Sequence, residues 1–196
     1  MTIATQTQLY TAEEYLALEV ESELRHEYHN GEIIPMTGGT TAHNEINSVL
    51  NALLRFALKG LPYSIFVTDQ RLWIPEQDRY TYPDIMVTPR PPELKPGRKD
   101  TVMNPILLAE VLSDSTEKKD RGDKFEAYRT IATFQEYVLI AQDRPLVEQY
   151  VKQSENQWLL TEHRGLDKTM GLRSLNVDIA LGELYEAIAF DQPSEA

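Results

Sequence analysis

A glutamate stands where a core residue belongs. Glu110 lies within Ile106-Leu107-Leu108-Ala109-Glu110-Val111-Leu112, whose other members all favour a dry interior, as in a strand buried on both faces. An unpaired buried carboxylate is costly, so such a residue is paired, protonated or bound to a metal. Asp84 poses the same question within Tyr82-Pro83-Asp84-Ile85-Met86-Val87. Two acids on neighbouring strands repel each other unless a cation lies between them. Magnesium suits such a place, because it takes one or two carboxylates and keeps water and substrate oxygens in its other positions. That chemistry serves phosphodiester hydrolysis, in which the metal polarises the phosphoryl group and helps to generate the nucleophile. Taken singly, either acid reads better as a strand-end carboxylate that accepts backbone N–H groups or pairs with an arginine; both together, followed by a well-placed lysine, reverse that preference.

The lysines after Glu110 sharpen the choice. Lys118, Lys119 and Lys124 all fall on the next helical stretch, and at about 100° per residue they do not share a face. Asp120, Lys124 and Tyr128 are four apart on one stripe, and Phe125 with Tyr128 marks the side that packs on a sheet. Lys124 therefore borders the buried face and can reach back toward the strand end, whereas Lys118 and Lys119 read as solvated charges. The plainer reading of Lys124 is a surface salt bridge to Asp120, worth little. His26 and His29 flank Glu27 without a helix signature around them and read as exposed. His43 reads as a capping or packing residue at the start of a helix. Gln70 and Arg71 could touch phosphate, though a solvent-facing strand edge is the blander account. Trp73, Tyr80 and Tyr82 read as sheet packing.

The elements that must position these groups follow from pattern. Thr11 with Glu14 forms a capping box for a short helix, and Ile33-Ile34 belongs to a hairpin that ends near Pro35. Apolar residues recur at helical spacing from Thr41 to Leu58, before Gly60 and Pro62 stop the run. Strands are expected over 64–68, 71–74 and 80–87, then 105–112, 136–141, 146–152 and 158–162, with a weak one near 175–179. Helices are expected from the Ser113–Thr116 cap to about Arg129 and from Leu181 to Ile188. Between them, 89–100 holds four prolines and one glycine with Arg90, Lys95, Arg98 and Lys99, and reads as a mobile basic loop. The order is that of a mixed α/β sandwich around a central sheet, without a phosphate-loop or dinucleotide fingerprint.

Composition narrows the function. The chain has 196 residues and a net charge of −12, which excludes a polycationic DNA-coating protein but not an enzyme that meets nucleic acid through a local patch or a metal. It has no cysteine, so thiol catalysis and thiolate zinc sites are excluded. Seven of the first 32 residues are glutamates, opposed only by Arg25. A polar N-terminus and the lack of any apolar run near the ~20 residues of a membrane span lead to an expectation of a soluble, cytoplasmic protein. The expected organisation is a loose lead-in at 1–10, a single domain at 11–190 and a polar tail at 191–196.

Pro83-Asp84, then Glu110-Val111-Leu112-Ser113, then 120–129 (DRGDKFEAYR) resemble the Uma-two-like family of restriction endonucleases, a branch of the PD-(D/E)XK nuclease superfamily. The likeness also takes in 10–15, Glu27-Tyr28 with Gly31-Glu32, His43, and 135–139 with Asp143-Arg144, and so spans roughly residues 10–190. It implies a restriction endonuclease-like core, with a central mixed β-sheet flanked by helices, and Asp84 and Glu110 as ligands of Mg2+, with Mn2+ as a substitute. One departure stands out. The superfamily places its lysine two residues after the acid, where this chain has Leu112, so the role passes to Lys124 on the following helix. Glu27 resembles the additional acid found beside the metal in many such nucleases. A metal-dependent DNA endonuclease acting as a homodimer is the leading expectation, with the basic 90–99 loop approaching the backbone. The alternatives are a catalytically silent binding or assembly module, and a hydrolase of RNA or a small phosphodiester.

Overall fold

The computed structural model describes residues 8–114 and 116–190. The expected tail, most of the lead-in and Ser115 of the expected helix cap lie outside them. A six-stranded sheet has the order β11-β10-β9-β8-β6-β3. Its strands are β3 (Tyr63–Val67), β6 (Ile85–Pro89), β8 (Leu107–Leu112), β9 (Glu136–Ala141), β10 (Leu146–Ser154) and β11 (Gln157–Arg164). Only β8 and β9 run parallel in it; the other neighbours are antiparallel. A five-stranded sheet, β2-β1-β5-β4-β7, is built from β1 (His26–His29), β2 (Glu32–Pro35), β4 (Arg71–Ile74), β5 (Arg79–Thr81) and β7 (Thr101–Val102). A small hairpin pairs β12 (Thr169–Leu172) with β13 (Val177–Ala180).

Alternation along the strands sends each face of the large sheet to its own core. Ile85, Val87, Ala109, Val111, Val138 and Ile140 pack on α2 (Thr41–Ala57) through Ile46, Leu50 and Leu54, and on the β12–β13 hairpin and α5 (Leu181–Leu184). Met86, Leu108, Leu112, Tyr137 and Leu139 face the opposite way, toward a helical segment that lies between the two sheets. That segment is α3 (Glu117–Lys119), a π-helical turn (Asp120–Lys124) and α4 (Phe125–Tyr128). A third cluster, Tyr15, Leu16, Tyr28 and Tyr80, seats α1 (Ala12–Glu21) on the small sheet, and the Thr11–Glu14 capping box starts that helix as expected.

Four expectations need correction. The strand expected over 80–87 is two strands in two sheets, because Pro83 has no N–H to continue a ladder; the chain crosses from β5 to β6 through Tyr82-Pro83-Asp84. The 89–100 segment is not a free loop. Lys95 N donates to Thr101 O (2.9 Å), Met103 N to Glu93 O (3.0 Å), and Lys95 Nζ lies 4.2 Å from the centre of the Trp73 ring. Arg71 is no solvent-facing edge residue: it is buried, donates to Tyr82 OH (2.8 Å) and lies 3.5 Å from Glu19. The last helix spans only Leu181–Leu184, and its chain neighbour Tyr185 is buried by donating to the carbonyls of Ala141 and Leu146. Strand β12 had no sequence signal, since Thr169-Met170-Gly171-Leu172 is short and carries a glycine.

Leu50 sits midway along the α2 face that seats the helix on the large sheet and is 2% exposed. Leu50→Ala should cost about 2–5 kcal/mol through lost burial and the cavity left behind. A urea titration followed by circular dichroism checks the value.

Candidate active site

The ladder between β6 and β8 pairs Ile85 with Ala109 and Met86 with Leu108. One step further along this register, Asp84 stands opposite Glu110. At that point β6 has ended, and the Asp84 carboxylate takes over from its ladder: Oδ2 accepts the Val111 N–H at 2.8 Å. Glu110 Oε2 lies 3.4 Å from the Asp84 backbone nitrogen. Glu110 itself is 3% exposed, on the face of β8 that looks toward the helical segment between the sheets. Its Oε1 accepts from Tyr128 OH at 2.7 Å and from Lys124 Nζ at 3.1 Å.

Lys124 gathers carboxylates from three elements. Besides Glu110 on β8, its Nζ lies 3.0 Å from Asp120 Oδ1, one turn earlier, and 3.7 Å from Glu27 Oε1 on β1. The contact to Asp120 is an ion pair without hydrogen-bond alignment, so Asp120 Oδ1 has no donor aimed at it. Lys124 is 8% and Asp120 1% exposed, so this pair is buried and not the surface bridge considered from the sequence. The π-helical turn contributes here: widening the helix brings residues four apart closer to one line than an α-helix does. Glu27 is fixed by the Thr81 hydroxyl, which donates to its Oε1. Asp84, Glu110, Lys124 and Glu27 thus lie in one place, Asp84 on the side of α2 and Glu27 on the small sheet.

His43 belongs to the same place. It occupies the first turn of α2, its Nε2 lies 3.0 Å from Asp84 Oδ2, and its Nδ1 is 3.3 Å from Asn47 Nδ2. Nδ1 also lies 3.4 Å from Asn44 Oδ1; a carboxylate only accepts, so Nε2–H donates to Asp84. The sequence reading as a cap or packing residue missed this contact. The signal was present, because His43 precedes Ile46, Leu50 and Leu54 on one helical stripe and so faces the sheet. His26 is likewise not simply exposed: it sits on β1 with Nδ1 2.7 Å from the buried Glu19. That pair is tied to Arg71 and Tyr82.

Electrostatics sets the four groups apart. Burial pushes the Glu110 carboxyl up to about 8; Lys124 opposes this, while the charges of Asp120 and Asp84 add to it. Burial also works against the Lys124 ammonium, but Glu110, Glu27 and Asp120 outweigh it and hold the amine well above its ordinary range. Burial raises Glu27 too, yet Lys124, the Thr81 hydroxyl and Arg79 more than offset it and leave it lowered. The hydrogen bond to Asp84 raises His43 against the effect of burial. At neutral pH the cluster therefore holds one extra proton, on Glu110. Among the described residues Asp84 Oδ1 accepts no hydrogen bond, and Glu110 Oε2 has only the long contact to the Asp84 N–H. Carboxylate oxygens are the donor type that magnesium takes, one or two at a time with water in its other positions; among the described residues no group of three or more His, Asp or Glu side chains is placed to hold an ion.

The raised Glu110 value has a measurable sign. The folded chain holds this proton more tightly than an unfolded chain, in which the carboxyl has its ordinary value of 4.5. The stabilisation is therefore full below about pH 4.5 and is lost as pH rises toward 8. In chelator, Glu110→Gln should raise the melting temperature by roughly 3 °C or more at pH 8 and change it little at pH 4. Melts of both proteins across that range check the sign.

Comparison with known proteins places this geometry in a family. The family model Uma2, described as "Putative restriction endonuclease", matches residues 12–182. The uncharacterized protein sll1609 of Synechocystis sp. is 44% identical over 165 residues, covering 84% of this chain and 93% of that protein. A second uncharacterized protein of that organism, slr1290, is 34% identical over 180 residues, covering 91% and 92%. A solved structure from Anabaena variabilis, titled a "putative nuclease belonging to DUF820", matches with a TM-score of 0.73 at 22% identity over 90% of this chain and 98% of that one. At that identity the likeness is one of fold, and the fold is the restriction endonuclease-like arrangement of mixed sheet and few helices. The chain belongs to the Uma2 family, the family described as "Putative restriction endonuclease".

Proposed function

We propose that this protein is a magnesium-dependent nuclease that hydrolyses phosphodiester bonds in DNA. The observation that carries the reading is the β6–β8 register, which sets Asp84 opposite Glu110 with Lys124 Nζ 3.1 Å from the latter. Asp84 and Glu110 would hold the ion. When bound, magnesium, or manganese in its stead, supplies Lewis acidity to a phosphoryl oxygen and lowers the pKa of water.

The chain's own groups do the rest. His43 and the Val111 N–H orient Asp84 through Oδ2, leaving Oδ1 directed elsewhere. Tyr128 and Lys124 hold Glu110 through Oε1. Lys124, kept protonated by three acids, can donate to the attacking water and to the phosphate oxygens on which charge develops. Glu27 holds that ammonium in reach, and as an acid beside the ion site it can also draw a proton from water. A cut through both strands of a duplex calls for two such sites, so a symmetric pair of chains is the expected active form.

Supercoiled plasmid and single-stranded DNA, incubated with magnesium or manganese, test the proposal. Wild type should nick or linearise plasmid, and Asp84→Asn and Lys124→Gln should each reduce the rate by roughly a hundredfold or more. Asparagine is used at 84 because its side-chain carbonyl still accepts the Val111 N–H, so lost activity cannot be laid to a broken strand end. Full activity in Asp84→Asn, or no cleavage by wild type with either metal, would contradict the assignment. The latter result would favour a binding module.

A further inference from the structure

Arg79 is a buried cation that interacts with the charge of Glu27 but forms no ion-pair contact among the described residues. It is 4% exposed, its Nε has no hydrogen-bond partner, and the bond it makes is from Nη1 to the Asp123 carbonyl at 3.1 Å. Among the described residues no carboxylate lies within ion-pair distance of its guanidinium. Other arginines in the interior are treated differently: Arg71 meets Glu19, and Arg121 meets Glu117 and Glu148. Burying an unpaired charge costs stability, so its retention needs a reason. Holding the Asp123 carbonyl is not enough, because a neutral donor would do that.

Its place supplies the reason. Strands β1 and β5 pair Tyr28 with Tyr80 and His29 with Arg79, and one step further Glu27 stands opposite Thr81. Alternation then puts Glu27, His29, Arg79 and Thr81 on one face of the small sheet, the face toward Lys124. The charge of Arg79 reaches Glu27 and His29, and that of Lys119 reaches Glu27. Gly122, Asp123 and Lys119 are exposed along the outer rim. Within 90–100, Lys95 rests on Trp73 and Tyr80 and Arg98 is bound to Asp100.

The geometry points to Arg79 as a substrate-binding residue that takes a backbone phosphate of the nucleic acid next to the bond being cut. This rests on the nuclease reading above. The guanidinium fork offers Nε and a terminal nitrogen together, the pair of donors that fits two phosphate oxygens. The phosphate supplies the acceptor that Nε lacks and a direct ion-pair contact that the guanidinium lacks. Lys119 stands at the rim for the same strand.

Anisotropy of a fluorescein-labelled duplex 12-mer, in calcium to hold back cleavage, tests this with Arg79→Gln, Arg79→Lys and the control Arg98→Ala. Arg79→Gln should weaken binding about tenfold and lower the slope of log K against log salt by about one. Its melting temperature should be unchanged or higher, because an unpaired buried charge has gone. Arg79→Lys should keep the salt slope and lose part of the affinity, and Arg98→Ala should match wild type. Wild-type affinity and slope in Arg79→Gln would overturn the inference. So would a large fall in its melting temperature with binding unaltered, which is the mark of a structural pin for Asp123. Cleavage by wild type together with unaltered binding by the variants sinks this inference alone. A wild type that neither binds nor cuts DNA sinks the nuclease reading and this one with it.

Discussion

One ammonium group holds the two sheets and the helix between them in register. Lys124 Nζ meets Glu110 from the large sheet, Glu27 from the small sheet and Asp120 from its own helix. Three acids around one buried amine leave an excess of negative charge, which the fold relieves by holding a proton on Glu110. Such an arrangement is poor design for stability, since replacing buried ions by apolar groups is often neutral or favourable. It stands in a region otherwise packed with tyrosine, leucine and phenylalanine.

The helical segment that carries Lys124 brings an amine to Glu110 from outside the strand. The position two residues after Glu110 is Leu112, which packs with Leu108, Tyr137 and Leu139. A lysine there would have to share a closely packed interface with aromatic rings. Lys124 instead approaches Glu110 from across the layer, and the π-helical turn keeps it in line with Asp120. Tyr128 follows on the same stripe and reaches the same carboxylate oxygen. The two donors to Glu110 Oε1 thus come from one helix, so a shift of that helix would move both.

Much of this was legible in the sequence because it depends on local pattern. The apolar run at 106–112 marked a buried strand and made Glu110 conspicuous, and the four-residue spacing of Asp120, Lys124 and Tyr128 marked one stripe. The long helix was visible from its periodicity, and its buried stripe already included His43. What was not legible was pairing between distant segments. Arg71 and Arg79 look alike as strand arginines in sequence, yet one pairs with Glu19 and the other, among the described residues, forms no ion pair and leaves its Nε without a hydrogen-bond partner. Tyr82-Pro83-Asp84 reads as strand by composition, and only the division into two sheets turns it into a crossing that delivers Asp84 to Glu110. The basic loop misled for a similar reason, since the Trp73 and Tyr80 rings that hold Lys95 come from β4 and β5.

The central claim is that Asp84 and Glu110 form a cation site whose self-repulsion is relieved by a divalent ion. Titration calorimetry with manganese at pH 8 addresses it without reference to any substrate. The account predicts saturable binding near one ion per chain in wild type, with proton release on binding, and loss of that binding in both Asp84→Asn and Glu110→Gln. Binding of equal strength in either variant, or none in wild type, would contradict it.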